Sequence, residues 1–182
     1  MNVKPNLLFA FALTIGFLKL SGQNQSTSMP KIVYNACPDE GCQFGDWIIL
    51  SPIKAYKNEG DTTSAAFQLI SNEKIVALHG NVHILKPGIA ILPEMTRIDA
   101  IDTAIIIREI DTAYVLYRMG EGYVVIWLQN RILMGVDEMI FSNFQDPEIE
   151  WWVFIENIKK ENGWLKIRTA EKSKISGWNI FW

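Results

Sequence analysis

From Trp47 onward the chain reads as brief β-branched or aromatic runs, each cut by turn residues. Trp47-Ile48-Ile49-Leu50 stops at Ser51-Pro52, and Ile53-Lys54-Ala55-Tyr56 alternates apolar with polar before the turn Asn58-Glu59-Gly60-Asp61. Similar runs follow at 66–69, 74–78, 82–85, 89–92, 105–107, 114–117, 123–128, 131–134, 151–155, 164–167 and 175–181. Short runs of this kind, with few long helical patterns between them, predict a mainly β, antiparallel fold: a sandwich or small barrels. The stretch 100–109 has some helical character, but its isoleucine run favours a strand. Residues 139–150, with Asp146-Pro147, predict a loop or short helix between two barrel halves.

Several segments echo one another. Gly122-Tyr123-Val124-Val125-Ile126-Trp127 precedes a Gln129-Asn130 turn and another strand. Trp151-Trp152-Val153-Phe154-Ile155 precedes a polar turn, then Gly163-Trp164-Leu165-Lys166-Ile167, and a polar stretch later ends at Gly177-Trp178. The unit is an aromatic strand, a polar hairpin and a Gly-Trp opening of the next strand. Glycine lets the backbone bend where the strand enters a barrel, and tryptophan supplies the area that a small core needs. Because neighbours on a strand face opposite sides, one of Trp151 and Trp152 is expected to be buried and the other exposed.

The N-terminus changes the compartment. Lys4 precedes an uncharged run over 7–18, closed by Lys19, and Ser21-Gly22-Gln23 offers small residues for cleavage. Twelve uncharged, mostly apolar positions fit the central region of an export signal and fall short of the ~20 residues a spanning helix needs. We read 1–22 as a signal peptide, 23–46 as a polar lead-in, 47–138 as a first barrel region with an insertion, and 139–182 as a second. No transmembrane span is expected after cleavage, and the location is the periplasm or the extracellular space. The net charge is −3, from 17 Lys and Arg against 20 Asp and Glu, which argues against a nucleic-acid partner.

Cys37 and Cys42 bracket Pro38-Asp39-Glu40-Gly41. In an oxidising compartment a close, even pair reads as a disulfide. The alternatives are two free thiols, or a zinc site completed by His79 and His83.

The order of motifs resembles bacterial SH3-like (SH3b) domains, small exported barrels that often occur in tandem. Ile53-Lys54-Ala55-Tyr56, the turn Gly60-Asp61-Thr62-Thr63-Ser64 and Phe67-Gln68-Leu69 are similar to that family's early hairpin. Asn72-Glu73-Lys74-Ile75-Val76-Ala77-Leu78 matches its next strand. Gly163-Trp164-Leu165-Lys166-Ile167 with Gly177-Trp178 is similar to its late signature, with Leu165 where an aromatic is usual. The likeness covers 47–78 and 151–178, whereas 80–119 has no counterpart in a minimal domain. It implies one or two SH3-like antiparallel barrels with an insertion between the motif-bearing segments. It also implies a groove lined by rings, for which Tyr56, Tyr123, Trp127, Trp151, Trp152 and Trp178 are the pool.

Catalytic motifs are missing: the sequence has no Gly-x-Ser-x-Gly, Walker loop, His-Glu-x-x-His or Rossmann fingerprint. A Cys/His hydrolase built on Cys37 or Cys42 with His83 is the enzymatic alternative, and Glu109 with Asp111 or Asp99 with Asp102 are the carboxylate pairs to weigh. We therefore expect a non-catalytic exported binding module without cofactor or metal. Its partner would be a cell-wall peptide, a glycan or an envelope protein. A structural assembly subunit is a third possibility.

Overall fold

The structure is a computed structural model describing residues 28–178. The export-signal reading of 1–22, residues 23–27 of the lead-in, and residues 179–182 with Trp182 lie outside the described residues. Residues 28–86 supply β1 (Ile32–Val33), β2 (Gly45–Ile49), β3 (Ile53–Asn58), β4 (Asp61–Leu69) and β5 (Lys74–Lys86). Then come β6 (Gly88–Leu92), β7 (Thr96–Asp99), β8 (Ala104–Ile107), β9 (Asp111–Gly120), β10 (Tyr123–Leu128) and β11 (Arg131–Asp137). A 3-10 turn (Glu138–Ile140) leads to β12 (Asn143–Phe144), β13 (Glu148–Asn157), β14 (Asn162–Ile167), a short helix α1 (Thr169–Lys172) and β15 (Ile175–Ser176).

The strands form a first sheet in the order β15-β2-β5-β13-β14-β3-β4, with β1 on β5, and a second in the order β11-β10-β9-β6-β12. Every pairing is antiparallel, and β7 with β8 makes a separate hairpin. The chain is thus mainly β, and its antiparallel sheets include a half-barrel. The long strand β5 organises the first sheet. Its first half pairs with β2 (Trp47↔Ile75), its second half with β1 (Ile32↔His83), and its other edge with β13 (Trp152↔Asn81). Strands from both sides of residue 138 therefore share one sheet, and residues 88–144 build the other.

Two cores result. The first is filled by Trp47, Ile49, Leu69, Val82, Trp151, Val153 and Leu165, and it is closed from the second sheet by Leu116, Tyr117, Val125 and Trp127. The second holds Leu92, Ile98, Val115, Val124, Ile126 and Leu133. Strand β10 is the wall between them: Val125 and Trp127 face one core, while Val124, Ile126 and Leu128 face the other. This explains why 124–128 is continuously apolar, since a strand covered on both sides has no polar face to alternate with. Each buried indole removes roughly 150–250 Å² from water, which at ~25 cal/mol per Å² is about 4–6 kcal/mol before entropic costs.

Trp151 spans the first core. Its ring centroid lies 5.7 Å from that of Trp47 and 6.1 Å from that of Phe44, and its Nε1 donates to Ala36 O at 3.0 Å. The indole crosses β5 at Gly80, where any Cβ would overlap Nε1, so glycine is required there by space alone.

The expectation that one of Trp151 and Trp152 is exposed is not met. Their exposures are 1% and 0%. The two side chains do face opposite sides of β13, but β13 is a central strand whose outer face is also covered. Trp152 is enclosed there by Tyr56, His83 and Lys166.

Candidate functional site

The outer face of the first sheet carries the densest chemistry. Alternation places His79, Asn81 and His83 of β5 on this face, beside Glu150, Trp152 and Phe154 of β13. Trp164 and Lys166 of β14 stand opposite Phe154 and Trp152, and Trp164 in turn pairs with Tyr56 of β3. Two ring clusters form. His79, Phe154 and Trp164 lie 5.1–5.4 Å apart by centroid, and all three are half-buried. Tyr56 and His83 each lie 5.9 Å from Trp152.

The β3–β4 turn folds back over this face. Glu59 Oε1 accepts from Asn81 Nδ2 at 2.9 Å and from His83 Nε2 at 2.6 Å. These bonds satisfy Asn81, a buried polar side chain that would otherwise be costly.

Glu150 anchors the other end. Its Oε1 accepts from Lys166 Nζ at 2.8 Å and from Arg168, and its Oε2 accepts from Trp152 Nε1 at 3.3 Å. Burial pushes this carboxyl up, but hydrogen bonds and charge from Lys166 and Arg168 outweigh burial and hold it below its ordinary value. Next to it opens a pocket of about 440 Å³, lined by Tyr56, Lys54, Lys166, Arg168, Lys174 and Glu171 among others.

The other residues of the predicted pool are dispersed. Trp127 (8% exposed) and Trp151 are core residues, so neither can meet a ligand in this conformation. Tyr123 is 45% exposed and lines a separate apolar groove of about 480 Å³ with Met119, Ile101 and the disulfide loop's Glu40 and Gly41. Trp178 is half-buried against the first core, with Lys172 Nζ 5.5 Å from its ring centroid. On this outer face, only Tyr56 and Trp152 of the pool are brought together.

Cys37 and Cys42 are joined as a disulfide with Cα atoms 5.8 Å apart. The zinc and thiolate alternatives thereby lose their sulfur ligands and nucleophile. His79 packs on Phe154 and Trp164, and His83 is bonded to Glu59. Among the described residues no group of three or more His, Cys, Asp and Glu is placed to hold a metal ion. Asp99 is paired with Arg97, and Asp111 accepts from Gln129 and from the Thr112 N–H, so one member of each carboxylate pair is held in local contacts on its strand.

Sequence reasoning weighed His79 only as a zinc ligand and missed Phe154, Trp164 and the cations around the pocket. The signal was available in the period of two: Glu150-x-Trp152-x-Phe154 and Trp164-x-Lys166-x-Arg168 each place three chemistry-bearing side chains on one strand face. No family model, curated protein or solved structure matches the chain. Among the described residues no helix is long and apolar enough to cross a membrane.

Proposed function

We propose that this chain is a non-catalytic, exported binding module with an SH3-like barrel, and that it binds cell-wall peptide or glycan on the outer face of its first sheet. The observation that carries this reading is the cluster of His79, Phe154 and Trp164. These three rings pack against each other at tilted and edge-on angles outside both cores and stay partly exposed, where apolar burial alone would close them away. Sugars and peptide backbones pack on such rings, while the neighbouring ion pairs supply directed hydrogen bonds. The SH3-like part of the reading rests on motif order. Of the segments that suggest it, Gly163-Trp164 lies on β14 beside the β3–β4 hairpin, whereas Gly177-Trp178 follows β15 at the other edge of the same sheet.

Co-sedimentation of the protein with purified peptidoglycan tests the reading. We expect retention by the native chain and at least a tenfold loss for Trp164→Ala and Phe154→Ala at unchanged far-ultraviolet circular dichroism. Absence of retention overturns the function. Retention lost in Tyr123→Ala but kept in Trp164→Ala overturns the choice of face.

A further inference from the structure

Four cations, Lys54, Lys166, Arg168 and Lys174, converge on the pocket beside Tyr56, while Glu171 is the one carboxylate in its lining. Behind the wall, Glu150 serves both Lys166 and Arg168 through the same oxygen. One carboxylate cannot neutralise two cations. Lys174 stands 4.0 Å from Glu171, and Lys54 makes no ion pair with any described residue. With Glu150 and Glu171 counted against the four, two positive charges remain uncompensated among the described residues. This happens in a chain whose net charge is −3.

The protein thus concentrates positive charge where its overall balance disfavours it, next to a partly open ring. Thr62 and Gln68 of β4 add neutral hydrogen-bonding groups to the same wall. A volume of about 440 Å³ admits one sugar ring or the last two residues of a peptide. From these features, and resting on the binding function proposed above, we infer that this pocket is a carboxylate subsite for the acidic end of the ligand. Guanidinium and ammonium donors recognise carboxylates by charge-assisted hydrogen bonds. The ring of Tyr56 flanks the group that bears the acid. Such a carboxylate belongs either to a peptide C-terminus or to an acidic sugar, and both present the same group to Lys54 and Arg168.

The test is ligand-observed NMR with the full chain, using four probes: N-acetyl-dialanine with a free carboxylate, its C-terminal amide, glucuronate and glucose. We expect binding of one free acid at least tenfold tighter than its neutral counterpart. That affinity should weaken as salt is raised and fall at least fivefold in Lys54→Gln. Lys54 has no ion pair with a described residue to lose, so this variant should fold as the native chain does, and Lys54→Arg should restore binding. The peptide pair and the sugar pair separate the two sources of the acid. Equal binding of acid and neutral forms overturns the subsite, as does unchanged affinity in Lys54→Gln with Lys174→Gln. Tighter binding of inorganic phosphate than of either acid overturns the carboxylate assignment. If peptidoglycan is retained while these probes fail, the subsite falls and the binding function stands. If sedimentation also fails, both fall.

Discussion

Glu59, at the tip of the β3–β4 hairpin, bonds His83 on β5 at 2.6 Å although β13 and β14 lie between their strands in the sheet. The hairpin therefore reaches across the outer face and helps shut Trp152 from water. Removing the carboxylate leaves the buried Asn81 amide and the His83 ring without their acceptor. Glu59→Ala should cost about 1–3 kcal/mol, the desolvation penalty of unpaired buried groups. Tryptophan emission should shift to the red as Trp152 becomes wetter. Denaturant unfolding with fluorescence checks both, and a native emission maximum would show that the hairpin tip does not cover the indole.

The Glu150 centre predicts a direction of pH dependence. Its folded-state carboxyl is held below the ordinary value of 4.5, so between the two values the folded chain binds fewer protons than the unfolded chain. Its contribution is fully present above about pH 4.5 and is lost as pH falls through the lowered folded value. Glu150→Gln should be less stable than the native chain at pH 7, by about 1–3 kcal/mol. The gap should narrow on acidification. Thermal unfolding of both proteins from pH 7 to 3 measures it, and a constant gap would remove Glu150 from the acid response.

The mainly β class was legible because alternation and turn residues act locally, within one strand and its hairpin. What the sequence concealed is non-local. Alternation correctly assigns Trp151 and Trp152 to opposite faces, yet whether a face is wet depends on which strands flank β13 and on where the Glu59 turn folds. Both are set by contacts dozens of residues away. Trp127 misleads for the same reason: β10 separates two cores, so a tryptophan that suits a binding groove is enclosed instead. Lys166 and Arg168 looked like ordinary solvated positions until β3 and the segment after α1 brought Lys54 and Lys174 beside them.

The disulfide loop gives a third prediction. Asp39 is ion-paired with Lys172, and Glu40 lies so close to Gly120 that a Cβ there would overlap its backbone. Gly120 also has φ +101°, a region that disfavours side chains. Gly120→Ala should therefore undock the loop and open the groove that Tyr123 lines, even with the disulfide intact. Reduction acts differently: it releases a short closed loop, worth ~2 kcal/mol, and leaves Gly120 in place. Hydrogen exchange over 37–42 should rise in Gly120→Ala without reduction. If exchange there rises only on adding reductant, the glycine contact does not hold the loop.

The two adjacent tryptophans of β13 should answer differently to the same substitution. Trp151 fills the first core between Trp47 and Phe44 and donates to Ala36 O at 3.0 Å. Phenylalanine there leaves a void and an unpaired carbonyl, each costing about 1–2 kcal/mol. Trp152 lies under polar side chains that can shift toward a smaller ring, and its Nε1 bond to Glu150 is long, at 3.3 Å. Trp152→Phe should therefore cost about half as much in urea unfolding. Its effect should appear instead as weaker ligand binding, because the indole supports Tyr56 and Lys166 at the edge of the basic pocket. Equal losses of stability in the two variants would mean that the outer face is packed as rigidly as the core. In that case the face has no room to receive a partner.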